Sequence, residues 1–316
     1  MSVSIENPRA AGRKGRTRPG DRIFAGLSTG AGLAILTVLA GVAAFLIVKA
    51  WPAITAPGSE IGDEGNGLIA YIWPLLFGTI LAATIAIVIA LPLAVAVALF
   101  ISFFAPPKLA QPLSYAIDML AAIPSIIYGL WGIVVLGPAS VGLQKWLAAH
   151  LGFIPFFDGP ATSTGRTMFV AGIVLAVMIL PIITAITRTV FSQTPPKLRE
   201  GALALGATRW EMIRMTVLPF GRSAMISASM LGLGRALGET MAVAMVLSAG
   251  GGISFNLISS SNPASIASNI ASNYKEGTPG KIQVLIATGL VLFLVTFLVN
   301  FAARWVVQRS ERRLAR

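Results

Sequence analysis

Two ionisable side chains stand in the middle of a long apolar stretch: Arg235 and Glu239, in Gly232-Leu-Gly234-Arg235-Ala-Leu-Gly238-Glu239-Thr240. Inside a bilayer such a charge costs about 2.5–3.5 kcal/mol on insertion scales, so it marks a functional candidate by default. The two residues are four apart and so are expected to share one helix face. The arginine precedes the acid, which is the less favourable order for helix stabilisation, so local stability is a poor reason for the pair. Counted from Ser223, Arg235 lies about 18 Å along such a helix, past the bilayer midplane. A guanidinium presents a planar fork of donors that suits a tetrahedral oxyanion. A neighbouring carboxylate accepts a hydrogen bond, which hydrogenphosphate can give and sulfate at neutral pH cannot. The pair is therefore read as lining a substrate pathway, with Arg235 attracting the anion and Glu239 favouring its protonated form. A structural ion pair between helices is the competing reading. Gly234 and Gly238 form a GxxxG that admits a close neighbouring backbone. The partial likeness to a dinucleotide fingerprint carries nothing, because no strand precedes it.

Other chemistries are excluded by what is missing. The chain has no cysteine and a single histidine, His150. That rules out thiolate sites, histidine-cluster metal sites and a Ser-His-Asp triad within the chain. Carboxylates do not cluster, so no catalytic residue is assigned and the chain is not read as an enzyme. No Gly-x-x-x-x-Gly-Lys-Ser/Thr occurs, so ATP and its magnesium belong to another polypeptide. Asp118 is the third charge in an apolar run. It lies nearer the inner surface and is read as a structural or gating partner, not a ligand. The net charge is +12. Its basic residues border apolar runs and form no stripe with interleaved aromatics, which argues against nucleic acid.

The elements that position these residues are membrane spans. The chain's 316 residues are 55% hydrophobic and 11% charged, against roughly 25% charged in soluble domains. Six apolar runs reach bilayer length, at 24–48, 71–104, 113–137, 167–190, 223–248 and 282–307. Basic residues concentrate on one side: Arg9, Arg13, Lys14, Arg16, Arg18 and Arg22 in the leader, Lys108, then Arg188 to Arg222 after the fourth run, and Arg304 to Arg316 at the end. The alternate side has only Lys49, Lys145, Arg166, Lys275 and Lys281, together with Glu60, Asp63 and Glu64. Both termini are therefore expected in the cytoplasm. The predicted organisation is a basic leader over 1–23, a first helix over 24–48, a core over 71–307 and a basic tail over 308–316. Pro74 suits a helix start. Pro92, Pro124 and Pro181 predict kinks in their helices. Residues 141–150 predict a short interfacial helix with Trp146 and Leu147 facing lipid. Asn262-Pro263 predicts a helix start, followed by the tandem Ile-Ala-Ser-Asn at 266–269 and 270–273. That segment either docks a partner, lines the outer mouth or simply covers the bundle.

The most specific signal lies between the fourth and fifth runs, over 194–221. Glu200-Gly-Ala-Leu-Ala-Leu-Gly206-Ala-Thr-Arg-Trp-Glu-Met-Ile-Arg-Met-Thr-Val-Leu218-Pro219 predicts a short helix with Glu200 in its first turn, a glycine break, an amphipathic helix and a proline stop. Trp210, Ile213 and Val217 recur at helical spacing. The stretch resembles the EAA loop of ABC-importer permeases: Glu-Ala-Ala, three residues, Gly, nine residues, Ile, one residue, Leu-Pro. Glu200, Ala202, Gly206, Leu218 and Pro219 fall at the matching positions, while Gly201 replaces an alanine and Thr216 an isoleucine. The resemblance implies a coupling helix inserted into an ATP-binding subunit.

The block Gly234-Arg-Ala-Leu-Gly-Glu-Thr240 resembles the signature of the PstC-type phosphate permease family, as does Ala122-Ile-Pro-Ser-Ile-Ile-Tyr-Gly-Leu-Trp-Gly132. With the coupling loop, the resemblance spans 71–304. It implies an all-α membrane protein of six transmembrane helices with the type I ABC importer permease fold, in the bacterial cytoplasmic (inner) membrane. It implies a sister permease, two ATP-binding subunits, an extracytoplasmic phosphate-binding protein, and phosphate as substrate. An ABC permease for sulfate or molybdate would share the coupling loop. A channel or secondary transporter predicts inverted repeats, which the sequence does not display.

Overall fold

The computed structural model describes residues 19–57, 67–248, 250 and 252–314, apart from the side chains of 307, 308 and 310–314. The leader residues Arg9 to Arg18, and Glu60, Asp63 and Glu64, lie outside the described residues. Every regular element among the described residues is helical.

The chain divides into two units, 1–48 and 49–316. The first contains most of α1 (Pro19–Thr55), a long apolar helix whose leucines, valines and phenylalanines are exposed within the chain. The end of α1 belongs to the second unit, where Ala50 and Ala53 pack with Val284 and Ala287 of α12 (Pro279–Leu314).

The core of the second unit is built on α2 (Gly67–Leu99) and α6 (Met168–Ser192). Ala82, Ala86, Ala90, Ala94 and Ala98 repeat every fourth residue along α2 and are almost wholly buried. A stripe of small residues lets two backbones approach, which drives helix association where no water is present to be released. Val170, Val174, Met178, Ile179 and Ile183 of α6 lie in the same cluster. The Thr184 hydroxyl donates to the Leu180 carbonyl of its own helix at 2.8 Å, and lies 3.5 Å from that of Ala94.

Among the described residues, five helical stretches are long and apolar enough to cross a membrane: Pro19–Thr55, Gly67–Phe104, Ser125–Leu151, Met168–Ser192 and Pro279–Val306. The second begins at Gly67, not at Pro74. Proline removes one N–H, but its lost acceptor belongs to Ala70, an exposed residue. The expected third span, 113–137, is broken. Helix α3 (Pro107–Ala121) ends before Pro124, and α4 (Ser125–Trp131) begins after it. The residue before a proline is pushed out of the helical region, so the chain breaks where a kink was expected. The Leu120 carbonyl at the break accepts the Tyr128 hydroxyl at 2.8 Å and the Ile123 N–H at 3.3 Å. From Ser125 the helix continues through a π turn at Gly132–Leu136 into α5 (Gly137–Leu151). Residues 141–150 are thus the end of a spanning helix, not a separate interfacial one.

At the end of the bundle where α6 begins, the segments 152–167 and 247–265 are stitched together. Leu257 N–H donates to the Phe156 carbonyl, and Phe169 N–H to that of Leu257, each at 2.8 Å. The Asn256 amide donates to Asp158 O. Helix α11 (Ile266–Asn273) starts three residues later than Asn262-Pro263 suggested, with Ser265 as its cap. Asn262 is fully buried instead, its amide held by the Asn256 carbonyl. The start of α11 is tied to α2: Ile266 N–H donates to Thr79 Oγ1 at 2.9 Å, and the Asn269 amide to the Tyr71 hydroxyl at 2.8 Å.

Candidate functional site

The fifth apolar run is not one helix. Helix α9 (Leu218–Leu237) is capped at Gly238, and α10 (Met241–Val246) follows after three non-helical residues, 238–240. Glycine and threonine at 238 and 240 are poor helix formers, and the Thr240 hydroxyl turns back to the Gly238 carbonyl at 3.2 Å. Arg235 and Glu239 therefore flank a break and do not share a helix face. Arg235 occupies the last turn of α9, where the helix dipole favours a cation. Glu239, 8% exposed, accepts the Ala242 N–H of α10 at 3.1 Å through Oε1. No ion pair joins them. An interrupted helix inside a membrane bundle leaves backbone groups that a water-lined or protein-lined pathway must satisfy.

Three features around the break were not singled out from the sequence. Tyr128 of α4 lies within electrostatic reach of Arg235. Helix α10 presses on α4 so closely that a Cβ at Gly129 would come within 2.9 Å of the Ala242 Cα, so glycine is required there. At the far end of α10, Arg166 donates to the Leu247 carbonyl at 3.4 Å. Beside that contact, α10 and the Ser268, Asn269, Ser272 and Asn273 side of α11 enclose a cleft of about 110 Å³. The tandem repeat thus lines one side of a small cleft whose other wall is apolar, with Val243, Leu247 and Ala264. The GxxxG glycines meet nothing comparable: Gly234 faces open space, and the nearest atom to a Cβ at Gly238 would be Gly234 O at 3.6 Å.

Asp118 lies on α3, outside the spanning helices, and is half-exposed. It forms an ion pair with Arg188 of α6 at 3.5 Å. The partner is 70 residues away in sequence, so no local spacing announces it.

The coupling loop folds as α7 (Pro196–Ala204), a turn at Gly206, and α8 (Arg209–Met212), which runs through a π turn at Ile213–Val217 directly into α9. Glu200 sits in the second turn of α7, not the first, because the helix opens at Pro196. Gly206 has φ +86°, a conformation that costs glycine little and other residues more. Thr208 and Glu211 form a reciprocal capping box. The Thr208 N–H and hydroxyl both donate to Glu211 Oε2 at 2.8 Å, and these bonds, the backbone one foremost, hold the carboxyl below its ordinary pKa. Pro219 does not stop a helix; it stands just after the π turn, and the helix runs on through it into α9. Ile213 and Val217 are fully buried with Ala98, Leu99 and Phe191, and Ala202 and Leu218 pack against them. Trp210, expected on their face, is 56% exposed. The extra residue of the π turn shifts the register between them. Leu198, Leu203, Leu205, Trp210 and Met215 together present an apolar surface around the turn, Leu205 being 91% exposed.

Comparison with known proteins gives these arrangements a context. Residues 90–315 match the family described as binding-protein-dependent transport system inner membrane component. The chain is 43% identical to a phosphate transport system permease protein PstC 2 of Mycobacterium bovis, over 91% of both chains. It is 39% identical to the phosphate transport system permease protein PstC of Haemophilus influenzae, over 89% of this chain and 90% of that one. Among solved structures, a chain of a bacterial alginate ABC transporter, in complex with its pentasaccharide-bound periplasmic protein, superposes with a TM-score of 0.57 over 89% of this chain and 96% of that chain, at 14% identity. That last likeness is one of fold.

Proposed function

The chain belongs to the PstC-type family of binding-protein-dependent ABC permeases, and from that premise we propose that it is the membrane permease subunit of an ATP-driven phosphate importer. The observation that carries this reading is mechanical continuity. Helix runs without a break from Arg209, at the exposed coupling turn, through the buried Ile213 and Val217, to Arg235 at the interruption. A packed helix moves as a rigid body, because close-packed interiors transmit displacement and do not absorb it. An ATP-binding subunit gripping the apolar surface around Trp210 and Leu205 would therefore shift Arg235 relative to α10.

In this reading the core over 71–307 forms the pathway with a sister permease, whose backbone fills the open space beside Gly234. ATP-binding subunits dock on the loop carrying Glu200, Ala202 and Gly206. An extracytoplasmic phosphate-binding protein delivers the anion to the stitched end of the bundle, and both termini face the cytoplasm. Arg235 neutralises the oxyanion within the membrane, and Glu239 accepts the O–H that separates hydrogenphosphate from sulfate. The Asp118–Arg188 pair holds α3 to α6.

The test is labelled phosphate uptake at micromolar concentration in cells lacking this gene, with excess sulfate or molybdate as competitor. The wild-type chain restores uptake that resists competition, and Arg235→Ala at equal membrane abundance removes it. Uptake of sulfate or molybdate that depends on the chain, with none of phosphate, would reassign the substrate and leave the permease reading standing.

A further inference from the structure

A cleft of about 440 Å³ opens where α9 leaves the coupling loop, walled by Val95 of α2 and by Leu218, Pro219 and Met225, with Arg214 and Arg222 at its rim. Both arginines are exposed, and neither forms an ion pair or hydrogen bond among the described residues. The combination is unusual. A soluble acidic partner would need no apolar floor, and a free hydrated anion would gain nothing from one. A guanidinium pair suits a phosphate diester, and the floor beneath it suits the first methylenes of an acyl chain. We propose that this cleft binds an anionic phospholipid, headgroup phosphate on Arg214 and Arg222 and chain along Val95 and Met225.

The position gives the lipid a consequence. Leu218 borders the cleft and also packs against the buried Phe191–Ile213–Val217 cluster. A lipid seated there stiffens the joint through which the coupling loop acts on α9. The proposal rests on the inward orientation of that loop, which places the cleft in the cytoplasmic leaflet, where anionic lipids attract juxtamembrane basic residues. It does not depend on which anion is transported.

The experiment uses the assembled transporter in phosphatidylcholine nanodiscs with or without phosphatidylglycerol, scoring retained phosphatidylglycerol by native mass spectrometry. The Arg214→Gln/Arg222→Gln variant is expected to lose retention on the order of twentyfold, from about one kcal/mol per basic residue. Met225→Trp, which fills the floor and keeps both charges, is expected to lose it as well. Unchanged retention in the double-arginine variant overturns the proposal. So does unchanged retention in Met225→Trp, which would reduce the effect to surface charge. Displacement of the lipid by excess inorganic phosphate would assign the arginines to the free anion. Loss of the ATP-binding subunit from the double variant would make the cleft a protein contact. Either result sinks the lipid site. A Lys197→Cys chain labelled from the outside would place the cleft in the other leaflet, and so separates a failure of orientation from a failure of binding.

Discussion

Glu239 has one oxygen committed and one available, which makes its two roles separable. Oε1 takes the Ala242 amide, and the second oxygen has no hydrogen-bond partner among the described residues. A glutamine keeps a carbonyl acceptor for Ala242, but its other terminus only donates. Glu239→Gln should therefore preserve the cap of α10 while losing the acceptor for the O–H of hydrogenphosphate. A hydrogen bond to a charged group contributes about 1.5–3 kcal/mol, so phosphate-over-sulfate preference in competition uptake should fall by roughly tenfold or more. An unchanged preference would leave Glu239 with the cap alone. The pair was legible in the sequence because two charges stand out against an apolar background. Its geometry was not, because the inference of a shared face assumed a helix that Gly238 and Thr240 interrupt. The partner of Arg188 was missed for a related reason: it meets Asp118 across the fold, where no period in the sequence points.

The coupling element is held by a few local bonds that respond to pH. Glu211 is fully exposed, yet the Thr208 N–H and hydroxyl stabilise its charged form and lower its pKa. A carboxyl whose pKa is lowered on folding stabilises the fold above its unfolded value, and that contribution is lost as pH falls through the folded value. The start of α8 should thus be firm at neutral pH and loosen only below the ordinary glutamate range. Hydrogen exchange of 206–212 on the purified transporter reads this directly. Protection should drop with acid in the wild type and be uniformly lower, with a flatter pH response, in Glu211→Ala. A pH-independent wild-type loop would mean that the box contributes nothing to its order. At this scale hydrophobic length made the spans visible, as did Gly206 for the loop. Where helices break or continue was less visible. A proline reads alike whether its lost acceptor is exposed, as at Pro74, whether it ends a helix, as at Pro124, or whether a helix runs on through it from a π turn, as at Pro219. Tertiary packing decides among these, and the alanine stripe of α2 that dominates that packing has no charge or polarity to draw notice.

For the whole molecule, the unsettled quantity is direction across the membrane, and the absence of cysteine makes it measurable without background. The basic residues Lys197, Arg199, Arg209, Arg214 and Arg222 crowd the end of the bundle that carries α7 and α8, while Lys275 lies just beyond α11 at the stitched end. Charge asymmetry of this kind predicts that the crowded end faces the cytoplasm. The proposed function makes the same demand chemically, since an ATP-binding subunit docking on the exposed Trp210 and Leu205 would have to find them in the compartment that contains ATP. Two single-cysteine chains test it, Lys197→Cys and Lys275→Cys, both at exposed positions. A membrane-impermeant maleimide should label Lys275→Cys in intact spheroplasts and reach Lys197→Cys only after permeabilisation. The reverse pattern would put the coupling surface outside and break the link between ATP hydrolysis and α9. Labelling of both in intact spheroplasts would mean that the interrupted α9–α10 segment does not complete a crossing, leaving no span between the two positions.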